Sequence, residues 1–330
     1  MKKMLLKLLL LFLPAAVQAA DRLQPLGLSA HPITVSGISS GAAMAIQMHI
    51  VHSKEVKGVG VFAGVPYGCA GIPGSYKTCM ESPDSVPLSV LTLGTQQLAL
   101  LGSIDPLQNL EYSRVYVWHG LKDSVVKVGA AAKVVEMYQK LTDNKAGIFS
   151  RIDSNAEHGL PVTSPNASSC GQLGSPFLIQ CGYDAIGEMF FQFYDKLPPK
   201  TSTPLGTLKR FDQTVYDPSG YFLGKEGHVY IPKTCENGGC GLHVAFHGCH
   251  QEVGSLGDFF PLNSDYIYWA DSLGIVILYP SSVVSMTNPN GCWNWFGAYP
   301  DIYPNNITRT GLQMSMLWNM IQHIRQGQRQ

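Results

Sequence analysis

The sequence has few charged residues and no cluster of basic ones. Only 14% of its 330 residues are charged, and 23 basic side chains balance 23 acidic ones, whereas a typical soluble domain is about 25% charged. Proteins that bind phosphate backbones need clustered Lys and Arg, and no such run follows the first few residues. We therefore predict a neutral, unusually apolar surface and no nucleic-acid partner.

The sequence also lacks an apolar run of the ~20 residues that a membrane-spanning helix needs. Its most apolar stretch, residues 4–13, follows two lysines and ends at Pro14, and Val17-Gln18-Ala19 then offers a cleavage site. This pattern is typical of a secretory signal peptide. We expect residues 1–19 to be a signal peptide and the protein to be secreted, extracellular or periplasmic, without a membrane anchor.

Export makes the eight cysteines informative, because an even set in an oxidising compartment favours disulfides over metal ligands or free thiols. The sequence alone leaves the connectivity open. Zinc sites use shorter paired spacings with nearby histidines, so we predict no metal and no cofactor. Closeness along the chain favours the pairs Cys69–Cys79, Cys170–Cys181 and Cys235–Cys240, which leaves Cys249 to pair with Cys292.

Strand-like and helix-like segments alternate after the leader. Ile33–Ile38 is a β-branched run, Gly129–Leu141 suits a helix, and a Gly/Pro/Cys-rich loop separates the strand candidate Val56–Phe62 from the next strand, which begins at Val115. Alternation predicts an α/β fold, a mostly parallel sheet with helices on both faces. Leu197–Pro204 is the best linker candidate, but neither flank makes a complete sheet. We predict one domain over residues 20–330, without a separate substrate-binding module.

The strongest local signal is Gly37-Ile38-Ser39-Ser40-Gly41, a G-x-S-x-G where a strand gives way to a helix. A nucleophile on such a strained turn needs neighbours without Cβ atoms. The helix that follows aims its first amides at any anion formed nearby. We predict that Ser39 is a nucleophile. The alternative is a Ser/Gly turn in which Ser39 caps a helix.

A nucleophilic serine needs a base and an acid that orients the base. Asp123 follows one predicted strand and His158 the next, which gives the chain order Ser, Asp, His of α/β-hydrolases. His158 would take the serine proton, and Asp123 would fix the imidazole tautomer and stabilise the imidazolium. Asp153 and His119 are rival candidates, and lone histidines or loop aspartates often have structural roles.

The oxyanion hole breaks the usual chain order. In an ordinary α/β-hydrolase its second amide comes from a loop upstream of the serine, and nothing suitable precedes Ser39. A strand instead runs into His247-Gly248-Cys249-His250-Gln251, far downstream. We therefore predict a circularly permuted α/β-hydrolase fold, since permutation is tolerated where termini are close and exposed. The final helix, Thr310 to Ile324, would then precede the strand of the nucleophile.

Together these motifs resemble those of secreted polyhydroxyalkanoate depolymerases, particularly members with a circularly permuted α/β-hydrolase fold in a single catalytic domain. The resemblance implies hydrolysis of poly(3-hydroxybutyrate) or its oligomers by Ser39, Asp123 and His158, with the amides of Ser40 and Cys249 as the oxyanion hole. The motifs are Gly37-Ile38-Ser39-Ser40-Gly41, Val61-Phe62-Ala63-Gly64 with Pro66-Tyr67 and Cys69, His119-Gly120 with Asp123, Glu157-His158-Gly159, His247-Gly248-Cys249 with Gln251, Leu278-Tyr279-Pro280 and Cys292-Trp293-Asn294-Trp295-Phe296.

The aromatic motif suggests how a polyester or oligomeric ester would bind. A disulfide from the oxyanion loop to Cys292 would hold Trp293 and Trp295 as an apolar wall beside the nucleophile. Tyr299 would extend the rim, and His250, where the family pattern leads us to expect a smaller residue, would touch the substrate. The plainer alternatives are that tryptophans fill the core and that the histidine is solvated or bonded locally.

Two other functions stay open at this stage. A feruloyl or acetylxylan esterase could use the same residues, and it would act on those sugar esters but not on hydroxybutyrate oligomers. A secreted binding protein that has lost catalysis is the second alternative, and the intact Ser39, Asp123 and His158 argue against it. The sequence does not indicate chain-length preference, the position of cleavage within a polymer or oligomeric state.

Overall fold

The computed structural model describes residues 20–28, 32–71 and 75–327. The predicted signal peptide, residues 1–19, lies outside the described residues. Within the described ranges, no helix combines the length and the hydropathy that a bilayer crossing demands.

The described strands form a nine-stranded sheet and a separate three-stranded one. The strands are β1 (Asp21–Arg22), β2 (Ile33–Ile38), β3 (Val56–Phe62), β4 (Arg114–Gly120), β5 (Ile148–Asp153), β6 (Leu160–Pro161), β7 (Ser168–Ser169), β8 (Leu178–Gln180), β9 (Thr207–Asp212), β10 (Glu226–Ile231), β11 (Gly241–Phe246) and β12 (Ile275–Tyr279). The α-helices are α1 (Ser40–Val51), α2 (Ser75–Glu81), α3 (Leu88–Leu100), α4 (Gly129–Leu141), α5 (Ala185–Tyr194), α6 (Val253–Leu256), α7 (Phe259–Asn263), α8 (Tyr266–Leu273) and α9 (Leu312–Arg325).

The large sheet has the order β1-β9-β10-β12-β11-β2-β3-β4-β5. Only β10 runs antiparallel to its neighbours among these described strands; the other pairings are parallel. If β9 is counted as the first strand and β2 as the strand after β12, the order across the sheet becomes 1-2-4-3-5-6-7-8. This is the arrangement of an α/β-hydrolase, so both the predicted fold and its circular permutation are confirmed.

The two ends of the described chain meet where an unpermuted hydrolase would be continuous. Leu26 N donates to Ile324 O at 2.9 Å and Gly27 N to Gln326 O at 2.6 Å. The segment that leads into β2 is thus bonded to the end of α9. The final helix takes the place just before the nucleophile's strand, as predicted, although it begins at Leu312.

Side chains alternate between two apolar layers, one on each face of the sheet. In β4, Val115 and Val117 join the layer that contains α1, α4 and α9, while Tyr116 and Trp118 join the layer that contains α5 and α8. Successive residues of a strand point to opposite faces, and a parallel sheet covered on both faces is apolar on both. Such a sheet holds its strand ends rigidly, and the loops at those ends carry the site.

The structure differs from the sequence prediction in the stretch after β3. The sequence predicts only a loop between β3 and β4, but this stretch also contains helices α2 and α3. Helix α3 carries Gly94 and two threonines, which weaken intrinsic helix propensity. Burial of Leu88 and Leu91 in the first layer stabilises it instead, as tertiary packing does for most helices.

Residues 197–204 do not separate two folded units. They connect α5 to β9, and strands from both flanks share the large sheet. Thr201 N donates to Ser272 Oγ at 2.8 Å, and Lys200 Nζ lies 2.9 Å from Asp184 Oδ2. This segment is therefore packed against α8 and the start of α5.

Candidate active site

Ser39 occupies a tight turn between β2 and α1. Its backbone has φ 57° and ψ −120°, a combination that residues other than glycine rarely adopt. Ser39 N donates to Phe62 O, at the end of β3, at 2.9 Å. The turn is thereby bound to the neighbouring strand, and it presents the serine at the carboxyl edge of the sheet, as in a nucleophile elbow.

Two glycines let the serine turn pack directly on β11. In the parallel pairing of β11 with β2, Phe246 lies opposite Gly37. A Cβ atom on Gly41 would overlap the carbonyl oxygens of Phe246 and His247, and a Cβ on Gly37 would lie 2.8 Å from Phe246 O. The G-x-S-x-G spacing therefore permits close contact between the nucleophile and the loop after β11.

Asp123 and His158 lie together at the ends of β4 and β5. His158 Nδ1 is 2.8 Å from Asp123 Oδ2, and both side chains are buried. Glu157 holds the two loops together, because its Oε1 accepts hydrogen bonds from Ser124 N at 2.7 Å and from His158 N at 2.8 Å. The pair can act as an acid and base couple, with the second imidazole nitrogen left for a proton transfer.

The surroundings of Asp123 keep its carboxylate ionised. Burial by itself would raise its pKa, but hydrogen bonds from His119 and His158 outweigh burial and hold the pKa well below the usual range. The amides of Val125 and Val126 also donate to Asp123 Oδ1, at 2.9 and 2.7 Å. A carboxylate ionised at neutral pH can orient an imidazole and stabilise its protonated form.

The two rival residues occupy other positions. His119 Nε2 is 2.7 Å from Val126 O and 3.3 Å from Asp123 Oδ2, and its ring is fully buried. It supports the carboxylate from behind and does not line the cavity that His158 lines. Asp153 Oδ1 accepts from Asn155 N at 2.8 Å, as a turn former does.

Ser39 and His158 open onto one cavity of about 790 Å³. Within the described residues its lining includes no Asp, Glu, Lys or Arg. The volume and apolar character suit a small-molecule or oligomer site. The lining residues are Ile38, Ser39, Ser40, Ala63, Val65, Tyr76, Met80, Val125, Val126, His158, Leu173, Gly174, Phe177, Gly248, Cys249, His250, Gln251, Thr287, Asn288, Pro289, Asn290, Cys292, Trp295 and Phe296.

Two backbone amides at this cavity have no acceptor among the described residues. In the loop after β11, Gly248 N donates to Gln251 Oε1 at 2.6 Å and His250 N to Asn290 O at 2.8 Å. The amide of Cys249, between them, is unbonded. Ser40 is the first residue of α1, where amides lack a partner within the helix. Both free amides belong to residues that line the cavity, so both are available to a developing anion.

The tryptophan prediction needs a correction. Trp295 lines the cavity, as expected, but Trp293 does not. Trp293 is fully buried, its ring packs edge-on against Phe246 at 5.2 Å, and its Nε1 donates to His247 O at 2.8 Å. Residues two apart share one face of an extended segment, but here Trp295 N donates to Trp293 O at 2.9 Å. The chain therefore turns between the two residues, and only Trp295 faces the cavity. Trp293 supports the oxyanion loop from the core.

Of the other two predicted substrate contacts, one lines the cavity and one does not. Tyr299 is 78% exposed and is not among the residues that line the cavity, so its place is the outer surface. His250 does line the cavity, and its ring stacks on Phe177 with centroids 6.2 Å apart. Its backbone has φ 62°, a conformation that residues other than glycine rarely adopt.

All eight cysteines form disulfides, and the pairs are the four that the sequence analysis predicts. One bond ties Cys249, in the oxyanion loop, to Cys292 beside the tryptophan motif. The others are Cys69–Cys79, Cys170–Cys181 and Cys235–Cys240.

Within the described residues one group could by position hold a metal ion: Asp153, Cys170 and Cys181. Both cysteines are joined in a disulfide, and a metal needs the thiolate form. In this oxidised state the group does not offer a metal site.

Sequence reasoning missed much of the cavity wall. Tyr76, Leu173, Phe177 and Phe296 line it, but they come from loops and short segments that no hydrophobic periodicity marks. One signal was present: the Cys170–Cys181 pair closes a loop shortly after His158, and Leu173 and Phe177 lie inside that loop.

No protein-family model matches the chain, but two curated relatives do. A polyhydroxybutyrate depolymerase of Talaromyces funiculosus is 32% identical over 96% of both chains. A poly(3-hydroxybutyrate) depolymerase of Delftia acidovorans is 35% identical over 94% of this chain. The chain belongs to the polyhydroxybutyrate depolymerase family. It spans 63% of the length of the Delftia protein.

Solved structures of this depolymerase family share the fold. The crystal structure of the polyhydroxybutyrate depolymerase of Penicillium funiculosum has a TM-score of 0.86 and 29% identity, over 92% of this chain and 99% of that one. A second structure with the same scores is a polyhydroxybutyrate depolymerase variant complexed with an R3HB trimer.

We predict that Gly41→Ala destabilises the protein by about 1–3 kcal/mol or more, because the added methyl overlaps backbone that cannot rotate away. Urea unfolding measures this. Gly94→Ala is the matched control: apart from its chain neighbours and the adjacent backbone of α3, no described atom lies within 4 Å of its Cβ position, so we expect a neutral effect or a gain of about 0.5–1 kcal/mol. Equal effects of the two substitutions would contradict the packing argument.

We predict that Asp123→Asn removes part of the dependence of stability on pH. The folded pKa of Asp123 lies below its unfolded value, so the ionised carboxylate stabilises the fold above the unfolded pKa, and this contribution is lost as pH falls through the folded pKa. The free energy of unfolding of the unmodified protein should fall more steeply below about pH 4 than that of the variant. If the free energies of unfolding of the two proteins change in parallel across this pH range, the folded pKa of Asp123 is not lowered.

Proposed function

We propose that the chain is a secreted serine esterase that hydrolyses poly(3-hydroxybutyrate) or its oligomers. The observation that carries the proposal is one apolar cavity that brings together Ser39, the His158 of the Asp123 pair, and two unbonded amides. Membership of the depolymerase family gives the reaction class. The R3HB trimer held by a structurally similar depolymerase supports a hydroxybutyrate ester as the substrate.

In the acylation step, His158 accepts the proton of Ser39 Oγ while that oxygen attacks the ester carbonyl carbon. Asp123 keeps the proton on His158 Nδ1, so the other imidazole nitrogen is free to act as the base. The carbonyl oxygen becomes negative and accepts hydrogen bonds from Ser40 N and Cys249 N, each worth about 3–4 kcal/mol in the transition state. The alcohol leaves with the proton from His158, and the acyl group stays on Ser39.

In the deacylation step, a water molecule takes the place of the departed alcohol. His158 accepts a proton from it, and the water oxygen attacks the acyl carbon on Ser39. The same two amides stabilise the second tetrahedral intermediate. Its collapse breaks the bond to Ser39 Oγ, returns the proton to the serine and releases a hydroxy acid.

The lining of the cavity favours an uncharged, methyl-bearing ester. With no charged side chain among its described lining residues, it offers a carboxylate or phosphate no ion-pair partner. Tyr76, Trp295 and Phe296 form an aromatic wall on one side, and burial of apolar repeats there is worth about 25 cal/mol per Å². A feruloyl or acetylxylan ester is not favoured by the relatives.

The four disulfides support the proposal that residues 1–19 direct secretion, since such bonds persist in oxidising compartments. We further propose that residues 20–330 act as one catalytic domain. The sharing of one sheet by strands from both halves of the chain supports this.

We predict that Ser39→Ala lowers ester hydrolysis by at least ~10³-fold while the fold is retained, because the remaining groups cannot form the acyl intermediate. Amorphous poly(3-hydroxybutyrate), defined oligomers and a feruloyl ester should be incubated side by side and the products identified. Circular dichroism checks the fold. Turnover by the variant would refute the nucleophile, and turnover of the feruloyl ester alone would refute the substrate.

We predict that removal of the Cys249–Cys292 bond by paired Cys→Ser substitution lowers kcat, since it frees the loop that presents the Cys249 amide. The matched control is paired substitution of Cys235 and Cys240, whose bond lies away from the cavity lining. Both variants should lose stability, but only the first should lose kcat when assayed well below its melting temperature. Equal kcat values would show that the bond does not position the amide.

A further inference from the structure

The side chain of Gln251 is buried against the floor of the cavity. It is 2% exposed, and both ends of its amide are bonded. Its Oε1 accepts from Gly248 N at 2.6 Å. Its Nε2 donates to Pro176 O at 2.8 Å and to Phe177 O at 3.4 Å. A buried amide bonded at both ends holds two pieces of backbone at a set separation.

The carbonyl of Phe177 extends this connection to the loop of the base. Phe177 O accepts from Leu160 N at 2.9 Å, and Leu160 follows His158 by two residues. Between them, Gly159 packs so closely that a Cβ would lie 2.8 Å from Ile179 Cγ2. A short series of hydrogen bonds therefore leads from the oxyanion loop, through Gln251, to the segment that carries His158.

The other hydrogen bonds and the disulfide that hold the oxyanion loop lead elsewhere. His250 N donates to Asn290 O, Cys249 is bonded to Cys292, and Trp293 Nε1 donates to His247 O. These three contacts reach residues 290–293, which do not belong to the segment that carries His158. Among the described contacts, the Gln251 side chain supplies the hydrogen-bonded link toward His158.

We propose that Gln251 is a positioning residue that sets the Cys249 amide relative to His158. The proposal rests on the serine esterase function proposed above. By accepting from Gly248 N, the side chain leaves Cys249 N as the free amide of the loop, and by donating to Pro176 O it fixes that amide relative to the base. Transition-state stabilisation depends on donors held in place before the reaction.

Two substitutions test the two ends of the Gln251 amide, the acceptor for Gly248 N and the donor to Pro176 O. Gln251→Glu keeps an acceptor for Gly248 N but loses the donor to Pro176 O. Gln251→Met has a similar length and provides neither. We expect kcat on p-nitrophenyl butyrate to fall about 10- to 100-fold in both variants, with KM within about twofold, because a misplaced donor acts on the transition state and not on ground-state binding.

Inhibitor affinities provide a readout that a purely structural role would not move. A boronic acid forms a tetrahedral adduct on Ser39 that places a negative oxygen at the two amides, so its affinity should fall by the same factor as kcat. Methyl 3-hydroxybutyrate should bind all the proteins equally when Ser39→Ala is added to each, because no adduct can then form. A loss shared by both ligands would indicate a collapsed cavity and overturn the proposal.

Gln213 gives a matched control for the loss of a buried glutamine. It is fully buried, its Oε1 accepts from Ser281 N at 3.0 Å, and its Nε2 donates to Gly224 O and Ser281 O at 2.8 and 2.9 Å. It does not line the cavity. Gln213→Met should lower the melting temperature as Gln251→Met does, but leave kcat unchanged. If both variants keep kcat and boronate affinity, Gln251 is only structural and the proposal is wrong.

The same assays distinguish failure of this inference from failure of the proposed function. If the unmodified protein cleaves p-nitrophenyl butyrate but not hydroxybutyrate oligomers, the polyester substrate is refuted while the Gln251 comparison still decides the inference. If the unmodified protein cleaves no ester and a fluorophosphonate leaves Ser39 unlabelled, both proposals fall.

Discussion

The parallel pairing of β11 with β2 is the contact on which the site depends. It joins residues more than two hundred positions apart and places Phe246 opposite Gly37. From that register, the turn with Ser39 and the loop with Cys249 emerge side by side at the carboxyl edge of the sheet. Gly41 has no side chain because backbone of β11 already occupies that space. The proposed nucleophile and half of the proposed oxyanion hole are thus placed by one strand pairing.

Circular permutation changes the chain order of these parts but not their positions. The bonds from Leu26 and Gly27 to the end of α9 close the gap that the new termini would leave. Because β11 and β2 are neighbours in the sheet, it makes no difference to the chemistry that one is encoded late and the other early. Long-range pairing of this kind is slow to form. Once it has formed, the Cys249–Cys292 bond ties the loop after β11 to the segment around Trp293.

Much of the site was predictable from local patterns. The two histidines near Asp123 show what local patterns cannot decide. The chain order of Ser39, Asp123 and His158 follows from strand ends alone, since parallel strands deliver their loops to one edge. Local pattern does not separate His119 from His158, because each lies near the end of a strand and precedes a glycine. Only the fold shows that His119 lies buried behind the carboxylate and that His158 faces the cavity.

The sequence by itself determined the alternation of strands and helices, the serine turn and the three short-range cysteine pairs, because each depends on residues close together in the chain. Its motif order also determined the permutation. Only the tertiary structure decided that Trp295 faces the cavity while Trp293 fills the core, that helix α3 forms despite its weak propensity, and that Gln251 bridges the two catalytic loops. Those outcomes depend on which backbone lies across from a side chain, and that is set by pairings between residues far apart in the chain.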